Sequence, residues 1–268
     1  MDKKIGFIGC GNMAQSMIGG IVKSKLVVPG YIMASAITEK NLNHAKQSYG
    51  IIVSNNNIDT VRFSDIIFLA VKPNIYADVI DEIKGSLKKD SIIITIAAGI
   101  SMSYIEKAFG YKLKVVRTMP NTPALVGEGM SALCANELVT KEDLGLVLKI
   151  FESFGKAEII AEKLMDAVAA ISGSSPAYVY MFIEALADGG VLDGISRDKA
   201  YKFAAQAVLG AAKMVLETGM HPGILKDNVC SPGGTTIEAV ATLEEKGFRS
   251  AILSAMKSCT NKSKEMSK

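Results

Sequence analysis

Cysteine and histidine are scarce and scattered in this chain of 268 residues. Cys10, Cys134, Cys230 and Cys259 show no CxxC spacing, and His44 and His221 stand far apart. No zinc, haem or disulfide framework is readable, and no metal site is expected. The pattern fits a reducing compartment, so a cytoplasmic location is expected. An excess of one charge is also lacking. The net charge of +3 is too weak to argue for nucleic acid or an anionic membrane surface as a partner. The lysine-containing tail "NKSKEMSK" reads as a solvated, frayed end. No run of about 18 apolar residues lacks charge and Gly/Pro breaks, so no membrane span is expected. "MDKKIGFIGCG" moves straight into a strand pattern without the features of a signal peptide. No fixed-period repeat or low-complexity segment stands out.

What is present is a core-forming composition. Apolar residues make up 49% and charged residues 21%, which favours a folded globular protein over disorder. The length suits one large or two ordinary domains.

The first 160 or so residues alternate strand and helix. "KKIGFIG" is a short apolar strand, and "NMAQSMIGGIVKS" follows with Met13, Met17 and Ile21 at helical spacing. "YIMASA", "GIIVS", "DIIFLAV", "SIIITIA" and "KLKVVRTM" read as further strands, with "EKNLNHAKQSY" and "NIYADVIDEIKGSL" as helices among them. "GMSALCA" and "AEIIA" continue the sheet around the helix "KEDLGLVLKIFESF". Strands apolar on both faces suggest a parallel sheet covered by helices on each side. The expected fold is an α/β Rossmann-type doubly wound sheet over 1–162, followed by an all-α C-terminal domain over 163–268. In that second part "SRDKAYKFAAQAVLGAAKMVLET" carries Ala204, Ala205, Ala207, Gly210, Ala211 and Ala212. An almost uncharged helix middle with small side chains implies burial on more than one side. It suits either a partner subunit, giving a dimer, or the buried centre of a monomeric bundle; the dimer is preferred.

Gly9-Cys10-Gly11-Asn12-Met13-Ala14 is a G-x-G-x-x-A sequence that follows a strand and opens a helix, the context in which it marks a dinucleotide site. Gly9 permits the tight turn, Gly11 clears space for the pyrophosphate, and Ala14 lets the helix pack on the strand. A carboxylate at the end of the second strand normally grips the ribose of NAD. Here that region reads Met33-Ala34-Ser35-Ala36-Ile37-Thr38. With no acid to repel a 2′-phosphate, and with Ser35, Thr38 and Lys40 able to contact one, NADPH is favoured and NADH is left open. Ser35 and Thr38 also have a plain reading as turn and N-cap residues. The Cys10 thiol, at a helix start, has two readings: a lowered pKa that makes it a redox sensor, or a small inert filler.

Several stretches together resemble pyrroline-5-carboxylate reductase: "GFIGCGNMA", "FLAVKP", "RTMPNTPA", "ISGSSPAY" and, most specifically, "HPGILKDNVCSPGGTTIEAV". Two departures are Cys10, where alanine is commoner, and Ser175, where glycine is more usual. The resemblance implies a Rossmann domain, a helical domain that intertwines with its twin in a homodimer, and assembly that often proceeds to decamers. It implies cofactor contacts at Ile8, Gly9, Cys10, Gly11, Asn12 and Met13, at Ser35 and Asn57, and at Ala70, Val71, Lys72 and Pro73. Ile96, Ala97, Ala98 and Asn228 complete that set. It implies substrate contacts at Glu162, Thr235 and Thr236. Lys72 reads as a cofactor anchor or a general acid, the anchor being preferred. Asn121, between two prolines, either fixes a loop near the nicotinamide or only stiffens it. Glu162 by itself reads as a surface charge, and His221 as a structural residue.

The implied substrate is a five-membered cyclic imine bearing a carboxylate. A protonated imine accepts hydride readily, so the site needs orientation more than a strong acid or base. Ser231, Gly233, Gly234 and Thr235 can offer donors to the carboxylate at a helix start, and Thr236 can hold or protonate the ring nitrogen. Without the resemblance, "SPGGTT" reads equally as a helix stop, turn and cap. The rival readings are another Rossmann imine or β-hydroxyacid reductase, and a non-catalytic NADP-binding regulator. The absence of lysine in 174–192 argues against the hydroxyacid class.

Overall fold

The computed structural model describes residues 1–266. Eight strands form one sheet: β1 (Ile5–Ile8), β2 (Ile32–Ser35), β3 (Ile52–Ser54), β4 (Ile66–Leu69), β5 (Ile92–Thr95), β6 (Lys114–Met119), β7 (Gly129–Ala135) and β8 (Gly155–Ile159). Their order is β3-β2-β1-β4-β5-β6-β7-β8, parallel except between β6 and β7. That antiparallel pair follows from its connection, since residues 120–128 hold only a 3₁₀ turn and no crossover helix. The order reverses direction between β1 and β4, which creates a crevice at their carboxyl ends.

Helices α1 (Asn12–Lys23), α2 (Glu39–Tyr49), α3 (Asn57–Phe63), α4 (Tyr76–Ile83), α5 (Met102–Phe109) and α6 (Lys141–Glu152) accompany the sheet. β1, β4 and β5 are buried at every residue, as their near-continuous apolar sequences require. Alternation then sorts their side chains. Phe7 and Phe68 join Met17, Ile21, Phe151 and Phe154 on one face. Ile8, Ile67 and Leu69 join Tyr76, Ile80, Ile105 and Phe109 on the other. Phe7 and Phe68 stack at 4.5 Å, and each such ring, fully buried, contributes about 1.5–3 kcal/mol.

After the sheet come α7 (Met165–Val168), a π-helical turn (Ala169–Gly173), α8 (Ser175–Leu192), α9 (Arg197–Thr218), α10 (Pro222–Val229), α11 (Thr235–Glu245) and α12 (Phe248–Met266). The chain divides into two compact units, one of Met1–Ser174 with the residues from Ser258 onward, the other of Ser175–Lys257. The division after Ser174 falls later than residue 162, because Met165 and Ala169 pack with Met119, Ala132 and Cys134 of the sheet. The stretch "FRSAILSAMKSCTNKSKEM", which also reads as helix, is helical to Met266; its end is not frayed, and although Lys262 and Lys264 are solvated, Ser263 is buried with its hydroxyl donated to Asp166 Oδ1 at 2.7 Å. Ser267 and Lys268 lie outside the described residues.

In the second unit α8 and α9 pack on each other, yet Tyr180, Met181, Phe203 and Leu216 stay exposed. α9 is open along most of its length, so it is not the buried centre of a monomeric bundle. Among the described residues no helix is long and apolar enough to cross a membrane.

Candidate active site

Sheet register brings the nucleotide-loop residues together. Ser35 pairs with Ile8, Ile8 with Leu69, and Leu69 with Thr95, so β2, β1, β4 and β5 end side by side. The segments that leave these ends are Gly9–Met13, Ala70–Pro73 and Ile96–Ala98. Two backbone bonds fix the turn: Gly9 N–H donates to Ser35 O at 2.8 Å, and Ala70 N–H to Ile8 O at 2.8 Å. Gly9 has φ +98°, and a Cβ there would stand 2.5 Å from Ala70 O. Only glycine fits such a turn without strain. A Cβ on Gly11 would meet no protein atom within 4 Å. Gly11 caps α1 without a side-chain bond, so the first-turn N–H groups and the positive helix end face open space. These residues fit a dinucleotide pyrophosphate.

The remaining cofactor-site positions divide by burial. Ser35 is fully buried, and its hydroxyl donates to Asn57 Oδ1 at 2.8 Å. The half-buried Asn57 in turn donates to Glu82 at 2.8 Å. The Ser35 hydroxyl is therefore spent inside the fold, and the adjoining amide of Asn57 lies nearer the surface. Lys72 is exposed ahead of a 3₁₀ turn, Pro73–Ile75. Cys10 is only 1% exposed, and burial pushes its thiol up to about 11. This overturns the lowered-pKa reading: desolvation outweighs the helix end, and the thiol is a filler.

Glu162 is not a surface charge. Its Oε1 accepts from Met102 N at 2.9 Å, in the first turn of α5, and from Arg117 Nη1 at 3.2 Å. Arg117 is 4% exposed and has Asp166 Oδ1 at 3.8 Å as a second counter-charge. Arg117 was missed in the sequence. Its signal is a lone cation inside the apolar strand "KVVRTM", which a buried sheet tolerates only with a paired anion. Tyr76 and Thr95 were missed too. The buried Tyr76 hydroxyl donates to Leu69 O at 2.6 Å and pairs with Thr95 Oγ1 at 3.0 Å.

In the second unit "SPGGTT" forms a turn into α11. Gly233 has φ +66°, and Gly234 N–H donates to Ser231 O at 3.0 Å. A Cβ on Gly234 would stand 2.3 Å from Ser231 Oγ. Gly234 is the N-cap of α11 and no side chain caps the helix, so neither Thr235 nor Thr236 is spent on capping. Thr235 is exposed and Thr236 half-buried. Ser231 and Asn228 are exposed, Asn228 on α10. His221 caps α10, its Nδ1 accepting from Gly223 N at 3.0 Å. Among the described residues no group of three or more His, Cys, Asp or Glu is placed to hold a metal.

A doubly wound sheet with this glycine turn and open helix end defines a dinucleotide-binding oxidoreductase fold. The family description "NADP oxidoreductase coenzyme F420-dependent" matches residues 4–99, and "Pyrroline-5-carboxylate reductase dimerisation" matches 162–266. The pyrroline-5-carboxylate reductase of Escherichia coli K12 is 54% identical over 268 residues, covering all of both chains. That of Methanosarcina acetivorans is 46% identical, over 100% of this chain and 99% of its own. A crystal structure of Plasmodium falciparum pyrroline carboxylate reductase with NADP bound aligns with TM-score 0.92 at 36% identity, covering 100% of this chain and 99% of the other. The chain belongs to the pyrroline-5-carboxylate reductase family.

Proposed function

We propose that the chain reduces 1-pyrroline-5-carboxylate to L-proline, with NADPH as the favoured hydride donor and NADH as a second. The observation that carries this reading is a pair of helices whose N-termini no side chain caps, α1 after Gly11 and α11 after Gly234. One suits a pyrophosphate and the other a small carboxylate.

Ile8–Met13 would hold the pyrophosphate, and Asn57, oriented by Ser35, the 2′-phosphate end. Ala70–Pro73, Ile96–Ala98 and Asn228 would line the rest of the dinucleotide. The cofactor supplies hydride. The chain's own task is to hold a cyclic imine in line for it, and orientation of this kind is worth several kcal/mol. Ser231, Gly233 and Thr235 bind the substrate carboxylate through N–H and hydroxyl donors, while Gly234, expected to offer its N–H as well, has that donor engaged by Ser231 O and shapes the turn instead. The Thr236 hydroxyl holds the ring nitrogen and is the one catalytic side chain we assign. Glu162, fixed in place by Arg117 and Met102 N, presents its carboxylate to the substrate. Residues 1–162 act as the dinucleotide part and 163–268 as the substrate and dimerisation part. The apolar side chains left exposed on α8 and α9 are covered in a homodimer, which can assemble further to a decamer in the cytoplasm.

Purified protein mixed with NADPH and pyrroline-5-carboxylate should oxidise the cofactor and yield proline, with slower turnover on NADH. Tight NADPH binding without turnover would favour the non-catalytic reading. Thr236→Ala should lower kcat by about 10²-fold or more, the usual scale for a positioned proton-handling group. Full turnover in that variant removes Thr236 from the mechanism.

A further inference from the structure

Two stretches of the sequence, "RTMPNTPA" and "ISGSSPAY", contain none of the residues assigned above to cofactor or substrate, apart from the Arg117 that braces Glu162. One buried side chain joins them. Asn121 is 7% exposed and leaves the carboxyl end of β6, next in the sheet to the β5 end that carries Ile96–Ala98. Its Nδ2 donates to Ser172 O at 3.0 Å, and its Oδ1 accepts from Met130 N at 2.9 Å.

The Ser172 carbonyl needs that donor for a reason written in the sequence. In a continuing α-helix it would accept from the N–H four residues on. That residue is Pro176, which has no N–H. The local backbone widens into a π turn, with Ser174 N–H donating to Ala169 O at 2.8 Å, and this leaves Ser172 O without a backbone partner within the turn. The Asn121 amide replaces the missing donor. On its other side it fixes the entry to β7, so a single planar group sets both the loop after β6 and the turn Ala169–Gly173.

We infer that Asn121 is a positioning residue for the reduction: it supplies the hydrogen-bond donor that Pro176 withholds, and so holds the π turn against the carboxyl edge of the sheet beside the proposed nicotinamide position. This rests on the function proposed above. Asn121 touches neither substrate nor cofactor in this scheme. Its effect should reach kcat, through the alignment of imine and hydride donor, and leave the KM for NADPH near its parent value, because the pyrophosphate turn at Gly9–Met13 is built from other elements.

The test is a double-mutant cycle on the full-length oligomer. Asn121→Ala should lower kcat on the order of 10²-fold, as misplacement by about an ångström does. In a Pro176→Ala background residue 176 has an N–H for Ser172 O, so the same Asn121→Ala change should cost several-fold less. Equal losses in both backgrounds overturn the inference. Asn121→Asp gives a second readout that a merely structural role would not move. The introduced carboxyl can donate to Ser172 O only when protonated, so the ratio of variant to parent kcat should rise as pH falls. A flat ratio also overturns it. If Asn121→Ala does not fold, the Asn121→Asp profile and hydrogen exchange of the 168–176 segment in that variant decide, with faster exchange than the parent expected and unchanged exchange counting against. If the parent itself fails to reduce the imine, the proposed function fails, and the exchange comparison still tests the hydrogen-bond role.

Discussion

Replacing Tyr76 by phenylalanine removes one buried hydroxyl and keeps the ring, so no cavity opens and the apolar burial is unchanged. That hydroxyl ties Leu69 O to Thr95 Oγ1, the last residues of β4 and β5, just before the segments Ala70–Pro73 and Ile96–Ala98. A buried polar group left unsatisfied costs about 1–3 kcal/mol. Thr95 Oγ1 keeps a long bond from Ala97 N at 3.4 Å, so we expect about 2 kcal/mol in total. For a chain of this size that is a fall in Tm of roughly 4–8 °C. The assay is urea unfolding at fixed protein concentration, read as a lower midpoint with an unchanged slope. The pH dependence gives a sharper check. Burial pushes the Tyr76 phenol well above its ordinary value of 10.0. Above about pH 10 the unfolded chain therefore releases this proton while the folded chain keeps it, and stability falls as pH rises. The stability gap between parent and Tyr76→Phe should be constant below about pH 10 and narrow above it. A midpoint within about 0.5 kcal/mol of the parent, or a gap that does not change with pH, would refute the role of this hydroxyl.

Gly9→Ala places a Cβ 2.5 Å from Ala70 O at φ +98° and should destabilise the fold by about 1–3 kcal/mol, read by thermal unfolding without ligand. Gly11→Ala meets no protein atom, so its stability should change by less than about 1 kcal/mol, while its KM for NADPH should rise about tenfold or more. Equal stability losses in the two variants would refute the division of labour between these glycines. Iodoacetamide at neutral pH should spare activity and leave Cys10 unlabelled by mass spectrometry, because that thiol is buried and raised from 9.0 to about 11. Its contribution to stability is present below pH 9 and is lost as pH rises towards about 11, so Cys10→Ala should show a shallower alkaline decline. Rapid Cys10 labelling in the folded protein would contradict the filler reading.

The parts of the site that depend on local chain properties were legible in advance. The glycine turn after β1, the start of α11 at "GGTT" and the sheet strands each follow from periodicity and from residues that break or begin helices. α3, α5 and α10 were not read as helices. α3 and α5 have only seven and eight residues, and α10 begins on His221-Pro222, which reads as a turn. Short helices give weak periodic signals and owe their stability to packing. The tail was legible in part: its lysines are in solvent as expected, but Ser263 between them finds Asp166 far back in the chain.

By itself, the sequence determined where the chain turns, which strands are buried on both faces and which helices start on a glycine. These depend on neighbours within a few residues: a glycine without Cβ, a proline without N–H, an apolar run without charge. Tertiary structure alone decided which polar groups meet. Cys10 became inert because burial, a property of the whole fold, outweighs the helix end beside it. Glu162 became a fixed charge because β6 places Arg117 45 residues away in sequence but 3.2 Å away in space. Asn121 found the carbonyl that Pro176 leaves open across 51 residues of chain. A local pattern can announce an unsatisfied group, but only the packed fold selects the side chain that satisfies it.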